Sequence, residues 1–101
     1  MTFRVITAPE ADRHLTEIDR WWRENRLAAP DLFLREFAGA SELIAVAPHA
    51  GRLYRDAHFP HVRRLLMRAT RYHVYYVLQG DEVVIIAVWS AVRGTGPDLR
   101  P

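Results

Sequence analysis

The sequence predicts an α+β fold in the order β-α-α-β-β-β, an antiparallel sheet packed against a two-helix hairpin. Three observations predict it. Apolar residues recur at helical spacing in two segments before Pro48 and in none after it. β-branched and aromatic residues crowd the stretch from Val62 to Val92. Within it, Val83 to Trp89 is apolar without alternation, the mark of a central strand covered on both faces. Helices followed by a run of strands make the α+β pattern. The chain has 101 residues, the size of a single domain (1–101), with no internal repeat.

Thr2 to Thr7 is a short β-type run. Thr7-Ala8-Pro9-Glu10 reads as a capping box, with Pro9 in the first turn where its missing N–H costs nothing. Leu15, Ile18 and Trp22, with Trp21 and Ala11 as further candidates, form the apolar stripe of the first helix. Its acids come early and Arg20, Arg23 and Arg26 late, which suits the helix dipole. Asn25 to Pro30 is a break. The second helix runs from about Ala29 to Ala47, with Phe33, Phe37, Ala40 and Ile44 on one face, and Pro48 ends it. So short a link makes the helices antiparallel. Pro48 to Gly51 is a turn, and Arg52 to Pro60 an irregular loop with an extended piece at Leu53-Tyr54. Strands follow at Val62 to Arg68, Tyr72 to Leu78 and Val83 to Val92, with a tight turn near Ala69 to Arg71 and a hairpin at Gln79 to Glu82.

Composition excludes several classes. With no cysteine there is no disulfide scaffold, cysteine zinc finger, iron–sulfur site or cysteine nucleophile. No signal peptide is recognisable, and no apolar run approaches the roughly 20 residues of a membrane helix. The expectation is a soluble cytoplasmic protein without membrane contact. All fourteen basic residues are arginine, and their placement is uneven. Residues 52–71 hold six arginines against Asp56 alone, net +5, while residues 1–51 carry −2 and residues 72–101 carry −1. One stretch thus holds all the positive excess of a chain whose net charge is +2. Such a patch attracts nucleic acid or an acidic protein.

The unalternating strand has a consequence. A helical hairpin covers one face of a sheet. The face carrying Val84, Ile86 and Val88, or their neighbours, must meet the C-terminal tail, a second copy or a partner chain.

Four chemistries can be weighed. Asp56-x-His58-x-x-His61, with His49 nearby, is a weak metal motif, better read as solvated loop residues; His14 and His73, inside regular elements, read as packing or surface residues. No metal or cofactor is expected. Ser41 and Ser90 lie in no nucleophile elbow, and Gly94-x-Gly96 precedes no helix, so serine hydrolysis and phosphate-loop chemistry are excluded. Metal-free RNA cleavage has candidate charge stabilisers in Arg64, Arg68, Arg71 and Arg93, and candidate stacking rings in Tyr72, Tyr75, Tyr76 and Trp89. It lacks an evident acid–base pair, because Trp89 to Arg93 contains neither His nor Tyr. Fourth, an arginine patch beside an apolar sheet face suits an acidic amphipathic segment that folds on binding. Trp21 and Trp22 are adjacent and cannot both face the core, so one is a candidate partner anchor.

The order of elements now meets several local strings: Ala8-Pro9-Glu10-Ala11, Ile18 to Trp22, Phe33 with Phe37, Pro48-His49-Ala50-Gly51-Arg52, Val62-Arg63-Arg64, Tyr76 before Gly80-Asp81, and Val83 to Trp89 leading to Arg93. Together they resemble the RelE/ParE superfamily of toxins from type II toxin–antitoxin systems, over about Val5 to Arg93. The resemblance implies a helical hairpin on a sheet, no cofactor, and a cognate ParD-like antitoxin in a hetero-oligomer. RelE-like members cut mRNA on the ribosome through basic sheet residues and a C-terminal Tyr or His. For that activity the matching residues here are Arg64 or Arg68, and Arg93. No lysine and no Tyr or His after the last strand are present, so the chain resembles ParE more closely. That implies growth inhibition by binding DNA gyrase rather than by catalysis, in the setting of plasmid stabilisation. The alternatives are a ribosome-dependent mRNA endonuclease and a non-toxic protein-binding module. The expected antitoxin contacts are Trp21 or Trp22, Arg63, Arg64, Arg68, Arg71 and Trp89.

Overall fold

The computed structural model describes residues 2–55, 58–92 and 94–99. Along the chain lie β1 (Arg4–Thr7), α1 (Pro9–Asn25), α2 (Leu32–Val46), β2 (Arg52–Tyr54), β3 (Val62–Met67), β4 (Tyr72–Gln79) and β5 (Glu82–Ser90). The strands form one sheet in the order β1-β5-β4-β3-β2. The α+β class and the order of helices and long strands are as expected, with two additions. The extended piece at Leu53-Tyr54 is a full edge strand, β2, and β1 runs parallel to β5, so the sheet is mixed.

Two helix starts differ from the sequence reading. Thr7 does not cap α1. It is still a strand residue, in register with Ile85, and Ala8 takes the N-cap without a side-chain bond. The Ala8 N–H donates instead to the Ile85 carbonyl at 2.8 Å. Sheet pairing thus claims the residue that the local signal assigned to the helix. Likewise α2 begins at Leu32, not Ala29, because Ala29 to Leu32 closes a turn through a 3.2 Å backbone bond. The Pro30 ring inside that turn postpones the helix.

Each face of the sheet has its own core. On the first, Ala11, Trp22, Phe33, Ala40 and Ile44 of the helices pack on Met67, Val74, Tyr76, Val83, Ile85 and Val88. On the second, Val62, Tyr75, Val77 and Ala87 cluster with Leu99 from the C-terminal tail, and Phe59 joins them. β5 is therefore central and covered twice, as its composition required. The chain itself contributes to the second cover: Leu99 is 4% exposed. The tail is held there by the Trp89 Nε1–H, which donates to the Thr95 carbonyl at 3.0 Å. A bulge sits in β5, where pairing steps from Tyr75↔Ala87 to Tyr76↔Ile85. It sends Ile86 and Ala87 to the same face, which is why β5 follows no simple alternation.

Candidate functional site

The link between α2 and β2 is built around one hydroxyl. Buried Tyr76 Oη donates to the Pro48 carbonyl at 2.8 Å and accepts from the Gly51 N–H at 2.9 Å. A Cβ on Gly51 would lie 2.6 Å from that oxygen. The Pro-x-x-Gly string is thus the shape of a backbone turn closed on a tyrosine. Arg63 completes it, its Nη1 donating to the Gly51 carbonyl at 2.8 Å. That side chain is committed to the turn rather than to a partner.

A first cleft, of about 450 Å³, lies between α1 and the end of β5, lined by Arg13, His14, Glu17, Ile18, Trp21, Tyr72, Val88, Trp89 and Ser90. Its floor arises because β1 is short. β1 pairs with β5 as far as Ile85, and beyond that point α1 lies along the strand edge. The Val88 N–H there donates to His14 Nδ1 at 3.2 Å. The neutral ring therefore carries its proton on Nε2, which lies 3.5 Å from Glu10 Oε1. Burial pushes the His14 pKa down, against the pull of Glu10. Trp21 is 43% exposed and Trp22 only 8%, so of the pair Trp21 is the one open at the surface, with the Arg26 guanidinium 4.8 Å from its ring. Trp22 is a core residue rather than a partner contact: the α1 stripe buries it in the same cluster as Phe33 and Ile44.

A second cleft, of about 400 Å³, opens on β2, β3 and β4, lined by Ala50, Arg52, Arg64, Leu65, Leu66, Arg68 and His73. Arg52 and Arg64 are direct cross-strand partners. The Arg64 guanidinium lies 5.0 Å above the Tyr54 ring. Burial lowers the His73 pKa, and the Arg64 charge lowers it further. Burial raises the Tyr75 pKa, with Arg64 pulling the other way. The β3–β4 turn that carries Arg68 and Arg71 is latched to α2. The Glu36 carboxylate accepts from Ala69 N at 2.8 Å, Thr70 N at 2.9 Å and Thr70 Oγ1 at 2.6 Å.

The expected contacts therefore divide. Trp21 and Trp89 share the first cleft; Arg64 and Arg68 share the second with Arg52 and His73, which the sequence reading had not grouped with them. Arg71 is exposed at the turn, with φ 66°. Arg93 lies outside the described residues, as does Asp56 of the metal motif. Of the rings named for base stacking, Tyr75 and Tyr76 are buried, and Tyr72 is half-buried against the helical core. Among the described residues no group of three His, Cys, Asp or Glu side chains is placed to hold a metal ion, and no helix is long and apolar enough to cross a membrane.

A family model described as the ParE toxin of the type II toxin–antitoxin system parDE matches residues 5–93. No curated protein sequence matches the chain significantly. Among solved structures, the chain is similar to the chromosomal ParDE toxin–antitoxin system from P. aeruginosa, with a TM-score of 0.67 and 15% identity, covering 88% of this chain and 96% of that one. It is also similar to a mutant of the E. coli toxin RelE in the free state, with a TM-score of 0.52 and 18% identity, covering 91% of this chain and 86% of that one. At these identities the likeness shows a shared fold.

Proposed function

This chain belongs to the ParE toxin family of type II toxin–antitoxin systems, and from that premise we propose that it arrests growth in the cytoplasm by binding DNA gyrase, until a ParD-like antitoxin neutralises it. The family match across residues 5–93 carries the reading. Action by binding is consistent with two open clefts. The antitoxin contact is assigned to the α1–β5 cleft. It pairs an exposed tryptophan with the half-buried Trp89 and offers charges of both signs at its rim, Arg13 and Glu17. That combination suits an amphipathic helix or strand.

The test is a supercoiling assay with purified chain. Inhibition at micromolar concentration, reversed by an equimolar antitoxin, is expected; unchanged supercoiling ends the gyrase reading. Trp21→Ala should cost about 2 kcal/mol in antitoxin affinity, as a central aromatic anchor does, with little change in thermal stability. A second reading rests on His73, held toward its neutral form beside Arg64 in the arginine cleft. A neutral imidazole next to guanidinium groups is the equipment of a metal-free ribonuclease. Cleavage of ribosome-bound mRNA, lost in Arg64→Ala, would establish it over the first. Normal growth on expression without a partner would leave a non-toxic binding module.

A further inference from the structure

The arginine cleft poses a charge problem that folding alone does not solve. Arg52 and Arg64 face each other across an antiparallel pair, where like charges destabilise. Arg68 joins them, and among the described residues no carboxylate lines the cleft. Four other arginines are neutralised, Arg4 with Glu82, Arg13 with Glu10 and Glu17, Arg23 with Asp19 and Arg35 with Asp31, whereas Arg20, Arg26 and Arg71 have no ion pair among the described residues but stand apart from one another on the surface. Among the described residues, Arg52, Arg64 and Arg68 have no acidic partner. Arg64 is also aimed, by the Tyr54 ring beneath it. The Glu36 latch fixes the turn that bears Arg68. Three positioned, unneutralised guanidinium groups suit anionic oxygens spaced along a backbone.

The surroundings select the anion. A single strand is recognised by rings that stack on its bases. Here Tyr75 is buried, and the Tyr54 ring already carries Arg64 on its face and Tyr75 at its edge. An acidic amphipathic peptide needs apolar surface beside the charge. Leu66, 37% exposed, is the main apolar side chain on offer, because the greasy half of this face lies under Leu99 and Phe59. What remains is contact with phosphates alone, the way a duplex is held without reading its sequence.

We propose that the Arg52–Arg64–Arg68 cleft binds the phosphodiester backbone of duplex DNA, so that the toxin engages gyrase in its DNA-bound form. The second clause rests on the gyrase reading; the first does not.

Fluorescence anisotropy of a labelled short duplex with the purified chain tests it. Affinity should fall with salt, with a log–log slope of about −2.7 for three phosphate contacts. Arg64→Glu should weaken binding about tenfold or more and flatten the slope. Arg68→Glu, at an exposed turn position that folding tolerates, should do the same. Arg20→Glu makes the same change in net charge on exposed helix surface and should leave affinity within about threefold. The proposal is overturned if no binding occurs at low salt, or if Arg20→Glu weakens it as much as Arg68→Glu. It is equally overturned if single-stranded RNA or polyglutamate binds more tightly than the duplex. A supercoiling assay separates the two readings. Inhibition that survives Arg64→Glu and Arg68→Glu unchanged rejects the cleft's part in engaging gyrase and keeps the gyrase target. Duplex binding that those variants abolish, with supercoiling untouched by the wild type, keeps the cleft and rejects the target.

Discussion

Gly51 is a residue whose identity is fixed by what touches it. An added Cβ would sit 2.6 Å from Tyr76 Oη and 2.9 Å from the Arg64 carbonyl. The second neighbour is backbone in a paired strand and cannot swing aside. Gly51→Ala should therefore cost about 1–3 kcal/mol, as overpacking does, read as a lower urea midpoint; a midpoint equal to wild type would refute the close approach. His14 sets a pH dependence. It is neutral in the fold, accepting the Val88 N–H and facing Glu10, Arg13 and Glu17. Its folded pKa lies below the unfolded value of 6.5, so the unfolded chain binds the extra proton. Stability is full above 6.5 and is lost as pH falls from there toward the folded pKa. His14→Asn keeps an acceptor near Val88 but does not titrate. Its stability should vary less than wild type between about pH 8 and about pH 5, in denaturant melts. The special role of Gly51 showed in a short string, and adjacency alone forced Trp21 and Trp22 apart. His14 showed nothing in sequence, because its partner is 74 residues away.

Elements were legible where their own periodicity decides them, and less so where pairing at a distance does. α1, α2 and the three long strands follow from apolar spacing, Pro48 and the Gly80-Asp81 hairpin, where Gly80 takes φ 62°. The Thr7 box failed because β1 continues into it, and β1 finds β5 as a parallel partner more than seventy residues on. β2 is three residues long, too short for a pattern, and exists because β3 templates it. The Glu36 latch joins α2 to the β3–β4 turn across 33 and 34 residues and was equally invisible. Its three hydrogen bonds come from one carboxylate. Glu36→Gln turns one of those oxygens into a donor facing N–H groups. We expect about 1–2 kcal/mol lower stability, with amide exchange at Ala69 and Thr70 accelerating beyond the global change. Equal protection in the variant would show that the turn holds itself, leaving Arg68 and Arg71 without this support.

At the scale of the molecule, the second face of the sheet decides how the toxin and its antitoxin relate. Composition required that face to be covered and left the cover open among tail, copy and partner. Leu99 and Phe59 fill part of it, so burial of the central strand does not by itself demand another chain. On the proposed reading the antitoxin does not complete a core but occupies a cleft, and the α1–β5 cleft stays open while the tail is docked, since neither Pro97 nor Leu99 lines it. This separates two properties that an incomplete core would have joined: monomeric solubility and neutralisation. Leu99→Asp tests the separation. A carboxylate cannot stay 4% exposed among Val62, Val77 and Ala87 without a partner charge, so the tail should lift and bare that surface. The variant should then self-associate in sedimentation velocity and bind a hydrophobic dye, where the wild-type chain stays monomeric. Its antitoxin affinity should stay within about threefold of wild type, because the Trp21 wall of the cleft belongs to α1 and only Trp89 is shared with the tail. If Leu99→Asp remains a dye-silent monomer, the tail is not the cover. If antitoxin binding collapses with the tail, the partner uses the second face after all, and the cleft at Trp21 is not its seat.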